Sequence, residues 1–294
     1  FVKDVHDNFE RLLAEKKKQK LIFVVSEEPL WDSQFSGGYL DIHRHIEKGG
    51  ETLSFIYLNH MNSSIFDYHR VPYFITTESK YINRYRVTLS RYLNESFSEF
   101  SSRLNRASYK TAFIIEKRIE NYFDKSSELK EVKALSVYRS KLAESLFKVS
   151  LVQGKGWGDE DQPRQGLVDW HLDKLSLLQD NCQIISALEN TYHKLYISEK
   201  FFDAIACGGI PLTYHCNQSK FFKGLNPGGY LNVFDKTIPD ALKLIQSLSI
   251  SPSLYSAWRE NLNKINLIFS DNRLIFNEKV ALSDRLATEI RKYM

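Results

Sequence analysis

The chain has 294 residues, 43% of them hydrophobic, which is enough apolar material for two ordinary cores. Its 40 basic and 36 acidic residues are interleaved and leave a net charge of +4, mild enough to suit phosphate-bearing substrates or an anionic membrane face. No run approaches the roughly 18 consecutive apolar residues of a membrane span, and no secretory signal is visible. Cys182, Cys207 and Cys216 form no CxxC pair and are odd in number, which reads as buried thiols in a reduced cytosolic compartment. With Phe1 at its start, and Met61 and Met294 as its only methionines, the chain reads as trimmed or processed.

In chain order, Val5–Lys18 is a helical pattern with Val5, Phe9, Leu12 and Leu13 on one side. Its lysine-rich tail reads as a solvated helix end, since no interleaved aromatics mark it for nucleic acid. Leu21–Val25 is a strand, and Ser26-Glu27-Glu28-Pro29 follows on a turn at its carboxyl end, where strands deliver ligand groups. The next stretch, Trp31–Asn62, holds Gly37-Gly38, Gly49-Gly50, an apolar Leu53–Leu58 and the pair His43, His45. An H-x-H pair without a third ligand reads as exposed polar histidines rather than a metal site. Trp31, Phe35 and Tyr39 either stack on a sugar or pack. Ser90–Lys110 is polar, Ser-rich and partly helical, and marks a domain boundary near residue 105.

Beyond it, Ala112–Ile115 is a strand and Val132–Lys148 a helix, with Leu135, Tyr138, Leu142 and Leu146 recurring at three and four. Val149–Val152 is a strand that runs into the glycine turn Gly154–Gly158, whose glycines let backbone approach a ligand. Leu172–Leu178 is helical. The organising stretch is Gln183–His215, QIISALENTYHKLYISEKFFDAIACGGIPLTYH. It reads as a strand (Gln183–Leu188), a polar loop, a helix behind Ser198 that ends at Gly208-Gly209, and a strand at Ile210–Thr213. Ser198 suits an N-cap whose hydroxyl accepts a helix N–H, and Gly208 a left-handed terminator. In a βαβ unit the ligand sits beyond the strands' carboxyl ends, where Glu189, Asn190, Tyr196, Glu199 and Lys200 fall. A carboxylate in a helix's first turn can accept from two ribose hydroxyls, and a lysine beside the helix N-terminus attracts phosphate. The plainer reading is a structural βαβ with solvated loop charges. Asp240–Leu248, Ser251–Asn261 and Asp284–Tyr293 are closing helices.

Glu189-Asn190, Tyr196-Ile-Ser-Glu199-Lys200 and Ala206–Pro211 together resemble the FEN…GY(V/I)TEK…A…G(x)(I/V)P signature of glycosyltransferase family 10, the α-1,3/4-fucosyltransferases, in its bacterial form. Leu188 stands where the family has Phe, and Ser198 where it has Thr. Ile65-Phe66-Asp67-Tyr68 resembles the family's LFDY, Asn83-Arg84-Tyr85 its NDRY, and Leu231-Asn-Val-Phe234 its tail. Against that pattern Trp31–Asn62 looks like an insertion.

The resemblance implies an α/β fold of GT-B type, two facing Rossmann-like domains of which the N-terminal one is reduced or truncated. The expected domains are 1–105 for the acceptor, 106–270 for the donor and 271–294 as a closing helix. It further implies inverting transfer of fucose from GDP-fucose to a hydroxyl of a bacterial surface glycan, lipopolysaccharide or capsule, by a cytoplasmic enzyme in peripheral contact with the inner membrane. Glu27 would be the catalytic base, with Glu28 its understudy. Arg139 and Lys200 would stabilise the departing diphosphate, Gly154 would belong to the donor turn, Glu199 would hold the ribose, and Asn190 and Tyr196 would fix the nucleoside, beside Glu189. Trp31 and Arg84 are acceptor-side candidates, though Arg84 reads equally as a surface ion pair. No cofactor is expected. Asp159-Glu160-Asp161 has the D-x-D spacing of the metal handle in the other large glycosyltransferase fold, but follows a glycine turn and reads as a solvated loop. Two other readings stay open: an inverting transferase with another nucleotide-sugar donor, or a non-catalytic glycan- or nucleotide-binding domain of a larger protein.

Overall fold

A computed structural model describes residues 1–125, 131–158 and 167–294, so that the D-x-D run at 159–161 lies outside the described residues. The chain forms two compact units, Phe1–His69 with Lys279–Met294, and Arg70–Glu278.

In the first unit α1 (Val2–Asp7) and α2 (Phe9–Lys17) precede β1 (Phe23–Ser26), α3 (Pro29–Asp32), β2 (His43–Lys48) and β3 (Glu51–Asn59). The single helix expected from Val5 is broken at Asn8, whose side-chain amide donates to the Asp4 carbonyl at 2.9 Å and so competes with the helix ladder. The sheet order is β1-β3-β2, with β1 parallel and β2 antiparallel to β3. Gly49 and Gly50, at φ +59° and +78°, close the β2–β3 hairpin in two residues, because a primed turn needs positive φ at both. The stretch Trp31–Asn62 supplies the central strand of this sheet, β3. Val2, Val5, Phe9 and Leu13 pack on Val24, Ile46, Leu53, Phe55 and Tyr57. His43 and His45 are exposed on β2.

The second unit begins with α4 (Tyr73–Thr77), α5 (Ser79–Ser90) and α6 (Phe97–Arg106). Its βα core follows as β4 (Tyr109–Ile114), β5 (Lys133–Ala134), α7 (Ser136–Ser145), β6 (Ser150–Gln153), α8 (Trp170–Leu178), β7 (Cys182–Ser186), β8 (Thr191–Tyr192), α9 (Glu199–Ala206) and β9 (Ile210–Thr213). Next come α10 (Lys220–Lys223), β10 (Leu231–Asn232), α11 (Ile238–Gln246), α12 (Pro252–Ser270) and α13 (Asn272–Arg291), whose last turns count with the first unit. The five-stranded sheet runs β10-β9-β7-β4-β6, every pair parallel. Strands covered on both faces read as apolar runs, and all four residues of β9 are buried.

Two expectations change here. Residues 132–135 do not join the helix, because Ala134 pairs with Thr191 and the Leu135 N–H donates to the Asn190 carbonyl at 2.8 Å, so α7 begins at Ser136. The Ser-rich stretch around 90–110 is no linker: α6 starts on a capping box of Ser96 and Glu99 and buries Phe100 and Leu104. The division between units accordingly falls at Arg70 rather than near residue 105. Among the described residues no helix is long and apolar enough to cross a membrane.

Gly208 ends α9 at φ +76°, and a Cβ there would lie 2.5 Å from Arg103 Nη1 and 2.8 Å from the Tyr92 ring. Gly50 shares the backbone conformation, but its Cβ would meet nothing within 4 Å. Gly50→Ala should therefore cost about 1 kcal/mol from strain alone, and Gly208→Ala about 2 kcal/mol or more from strain plus overpacking. Thermal and urea unfolding of the two variants against wild type checks the difference.

Candidate functional site

Because the five strands are parallel, all their carboxyl ends meet one edge of the sheet. Numbered by occurrence within the sheet, the order is 5-4-3-1-2, so the winding reverses between β4 and β7. Open α/β sheets place ligands in the crevice outside such a reversal. The loop after β7 carries Glu189 there. Its carboxylate accepts from the Ser198 N–H at 2.8 Å, from the Ser198 hydroxyl at 2.7 Å and from Lys200 Nζ at 2.8 Å. The Ser198 hydroxyl is thus given to Glu189, and the expected N-cap bond to the helix is not made, although Ser198 is the N-cap residue.

Arg139 is the fourth residue of α7, in its first turn, because that helix starts later than its periodicity suggests. It is buried, and Nη1 donates to the Leu188 carbonyl at 3.4 Å, which fixes the guanidinium against the end of β7. Its charge opposes that of Lys200. Burial would also lower the Lys200 ammonium, but Glu189 and Glu199 outweigh both and raise it. Two cations, Lys200 and Arg139, and two carboxylates, Glu189 and Glu199, thereby converge at the β7 end.

Behind this cluster lies a buried polar network that the sequence reading missed. Asp203, one turn after Glu199 and wholly buried, accepts from Tyr85 Oη of α5 at 2.6 Å. His171 Nε2 of α8 lies 2.7 Å from the same oxygen, and Lys174 Nζ, also of α8, is 2.6 Å from the other. Lys174 further reaches Glu199 at 3.4 Å. Arg84 donates to His171 Nδ1 at 2.9 Å, so the ring's proton is on Nε2 and points at Asp203. Burial would push both carboxyls up. Lys200 and Lys174 hold Glu199, and Lys174 and His171 hold Asp203, below the usual carboxylate range. The signal that could have found this network was spacing: 199 and 203 share a face of one helix, as do 171 and 174 of another.

The remaining predicted residues fall into three places. Tyr196 and Glu189 line a narrow cavity of about 20 Å³ with His193, Tyr214 and His215, while Asn190 joins the loop to α7 through its carbonyl. Gly154, at φ +132°, ends β6, and a Cβ there would lie 2.3 Å from the Ile115 carbonyl oxygen. Arg84 is committed to the carboxylate of Asp169 and to His171 within the second unit. Glu27 and Glu28 occupy the turn after β1 in the first unit, where the Glu28 N–H donates to Ser26 Oγ at 3.1 Å, and Trp31 lies in α3. Among the described residues no group of three or more His, Cys, Asp or Glu is disposed to hold a metal.

Fold and cluster define an α/β protein of the doubly wound, five-stranded kind with its charged groups at the switch point. The model of glycosyltransferase family 10 (fucosyltransferase), C-terminal part, matches residues 125–293, and the chain belongs to that family. It is accordingly a glycosyltransferase of fucosyltransferase type, acting between a nucleotide-sugar donor and a glycan acceptor. The match spans Arg139, Gly154 and Glu189–Lys200, and begins after Glu27, Glu28, Trp31 and Arg84. No curated protein matches the chain.

Two stability effects follow. Asp203→Asn takes from buried Lys174 its nearer carboxylate, leaving Glu199 at 3.4 Å, and should cost about 3 kcal/mol in urea unfolding. Burial, aided at His193 by Lys194, holds His193 and His215 down at about 4. Unfolded imidazoles titrate near 6.5, so the unfolded state binds more protons between the two values. This part of the stability is complete above pH 6.5 or so and is lost as pH falls towards 4. Chemical denaturation across that range should show the decline, and His215→Phe should flatten it by about 2–3 kcal/mol.

Proposed function

We propose that the chain is an inverting, metal-independent glycosyltransferase of GT-B type that transfers fucose from GDP-fucose to a hydroxyl of a bacterial surface glycan, lipopolysaccharide or capsule. The observation that carries this reading is the convergence of Lys200, Arg139 and Glu189 at the β7 end, beside the strand-order reversal. Lys200 and Arg139 take the diphosphate charge as the nucleotide departs, the work a metal ion does elsewhere. Glu199, kept ionised by its lysines, accepts from the ribose hydroxyls, and Asn190, Tyr196 and the Gly154 turn fix the rest of the nucleotide. Glu27, on the turn after β1, removes the proton from the acceptor hydroxyl as that oxygen attacks the anomeric carbon and the diphosphate leaves from the opposite side. Glu28 and Trp31 line the acceptor. The enzyme works in the cytoplasm, peripheral to the inner membrane, where such acceptors are assembled.

Thermal-shift screening of GDP, UDP, CMP and their sugars identifies the donor, and GDP with GDP-fucose should give the largest shifts. A response confined to another nucleotide would move the reading to a different donor on the same fold. Lys200→Ala should weaken GDP binding about 10–100-fold and reduce turnover at least as much. Glu27→Gln should lower kcat about 10²–10⁴-fold with GDP affinity unchanged. Full turnover in both variants would assign the chemistry to other residues, and absence of turnover in wild type would leave only a binding domain.

A further inference from the structure

A second cavity of about 360 Å³ opens beside the cluster, and nothing above assigns it. Its wall is built from Lys133 of β5, Tyr138 and Lys141 of α7, Tyr214 just after β9, and Asp235 just after β10. Tyr214 also lines the narrow cavity of Glu189 and Tyr196, so the two spaces share a wall. The volume is within the range of small-molecule sites.

The polar groups form a compact, mixed set. Lys133 Nζ donates to Tyr214 Oη at 2.8 Å and to Asp235 Oδ1 at 3.2 Å, and Tyr214 Oη donates to the same Oδ1 at 3.0 Å. Both bonds fall on Oδ1, so the carboxylate keeps further acceptor capacity. Asp235 sits at φ +52°, a left-handed conformation that aspartate and asparagine adopt more readily than other non-glycine residues. Tyr138 adds an independent sign. Its hydroxyl is buried and has no hydrogen-bond partner among the described residues, a state that a ligand hydroxyl would relieve.

We propose that this cavity is a pyranose subsite, in which Asp235, Lys133 and Tyr214 hold neighbouring sugar hydroxyls and Tyr138 gains its missing partner. Acceptor, donor and dual-function groups within 3.2 Å of one another match a vicinal diol, each hydroxyl of which both donates and accepts. The two tyrosine rings meet edge to face, with centroids 5.8 Å apart at 70°, and so frame no parallel slot for a flat nucleobase. The inference rests on the sugar-transfer reading, and the sugar is either the donor's own or one residue of the acceptor.

The test compares wild type, Asp235→Asn and Tyr138→Phe by calorimetry and saturation-transfer NMR with GDP, GDP-fucose and methyl glycosides of common hexoses. Asn tolerates the left-handed conformation and Asp235 is exposed, so the fold should survive, which unfolding curves check. If the donor's sugar occupies the site, both variants should bind GDP-fucose about tenfold more weakly and GDP unchanged. If an acceptor residue occupies it, they should lose the methyl-glycoside signal while GDP-fucose binding is kept. Either result supports the subsite. Unchanged binding of all these probes would overturn it, and so would equal weakening of GDP and GDP-fucose, which would make the cavity a nucleotide site. Should wild type bind no nucleotide yet show a glycoside signal that Asp235→Asn removes, the donor reading fails and the subsite stands.

Discussion

Asp203 is the fixed point of the second unit. Its carboxylate is taken out of water entirely, and that is tolerable only because a phenol, an imidazole and an ammonium from two other helices converge on it. The three donors come from α5 and α8, so the ion and its partners dictate how three helices meet. One turn earlier on α9 stands Glu199, which shares Lys174 with Asp203. The same lysine that neutralises the core therefore sets the charge of Glu199, which in turn lies 3.7 Å from Lys200 Nζ.

The far end of α9 is held as firmly. Arg103, itself paired bidentately with Glu95 at 2.7 and 2.8 Å, donates to the Gly208 carbonyl at 2.6 Å, and Trp258 Nε1 donates to the Gly209 carbonyl at 3.0 Å. A helix of eight residues has little stability of its own. Its position comes from these buried polar bonds and from Phe201, Phe202 and Ile205 against the core. Rigid support of this kind suits a catalytic element, because charge stabilisation depends on groups that need no reorganisation when the reaction occurs.

The sequence made much of this legible, and for physical reasons. The helix from Glu199 to Ala206 has a polar start and a glycine end, and β9 is an unbroken apolar run; both signals are local, and both elements stand where they were read. The motif residues Glu189, Ser198 and Lys200 meet because a short loop leaves them no distance to travel. What failed was decided by partners far along the chain. The periodicity of 132–148 continues a helix that residue 190 interrupts, and the polarity of 90–110 hides the buried face of α6. The Ser198 hydroxyl had two acceptable partners, and the sequence could not say that a carboxylate nine residues earlier would take it.

The pairing of Lys200 with Glu189 bears on how the site treats a ligand. A half-buried ammonium lacking a counter-charge would be pushed toward its neutral form, whereas beside Glu189 it stays protonated and in place. On the proposed reading, an incoming diphosphate would compete with the carboxylate that already holds the lysine. Charge growing on the leaving diphosphate would, on that reading, meet Lys200 and the guanidinium of Arg139, which the Leu188 carbonyl holds in place. If the donor binds as proposed, parting Lys200 from Glu189 costs the same in ground and transition state, so the barrier would fall only by the extra charge that the two cations meet as the diphosphate departs.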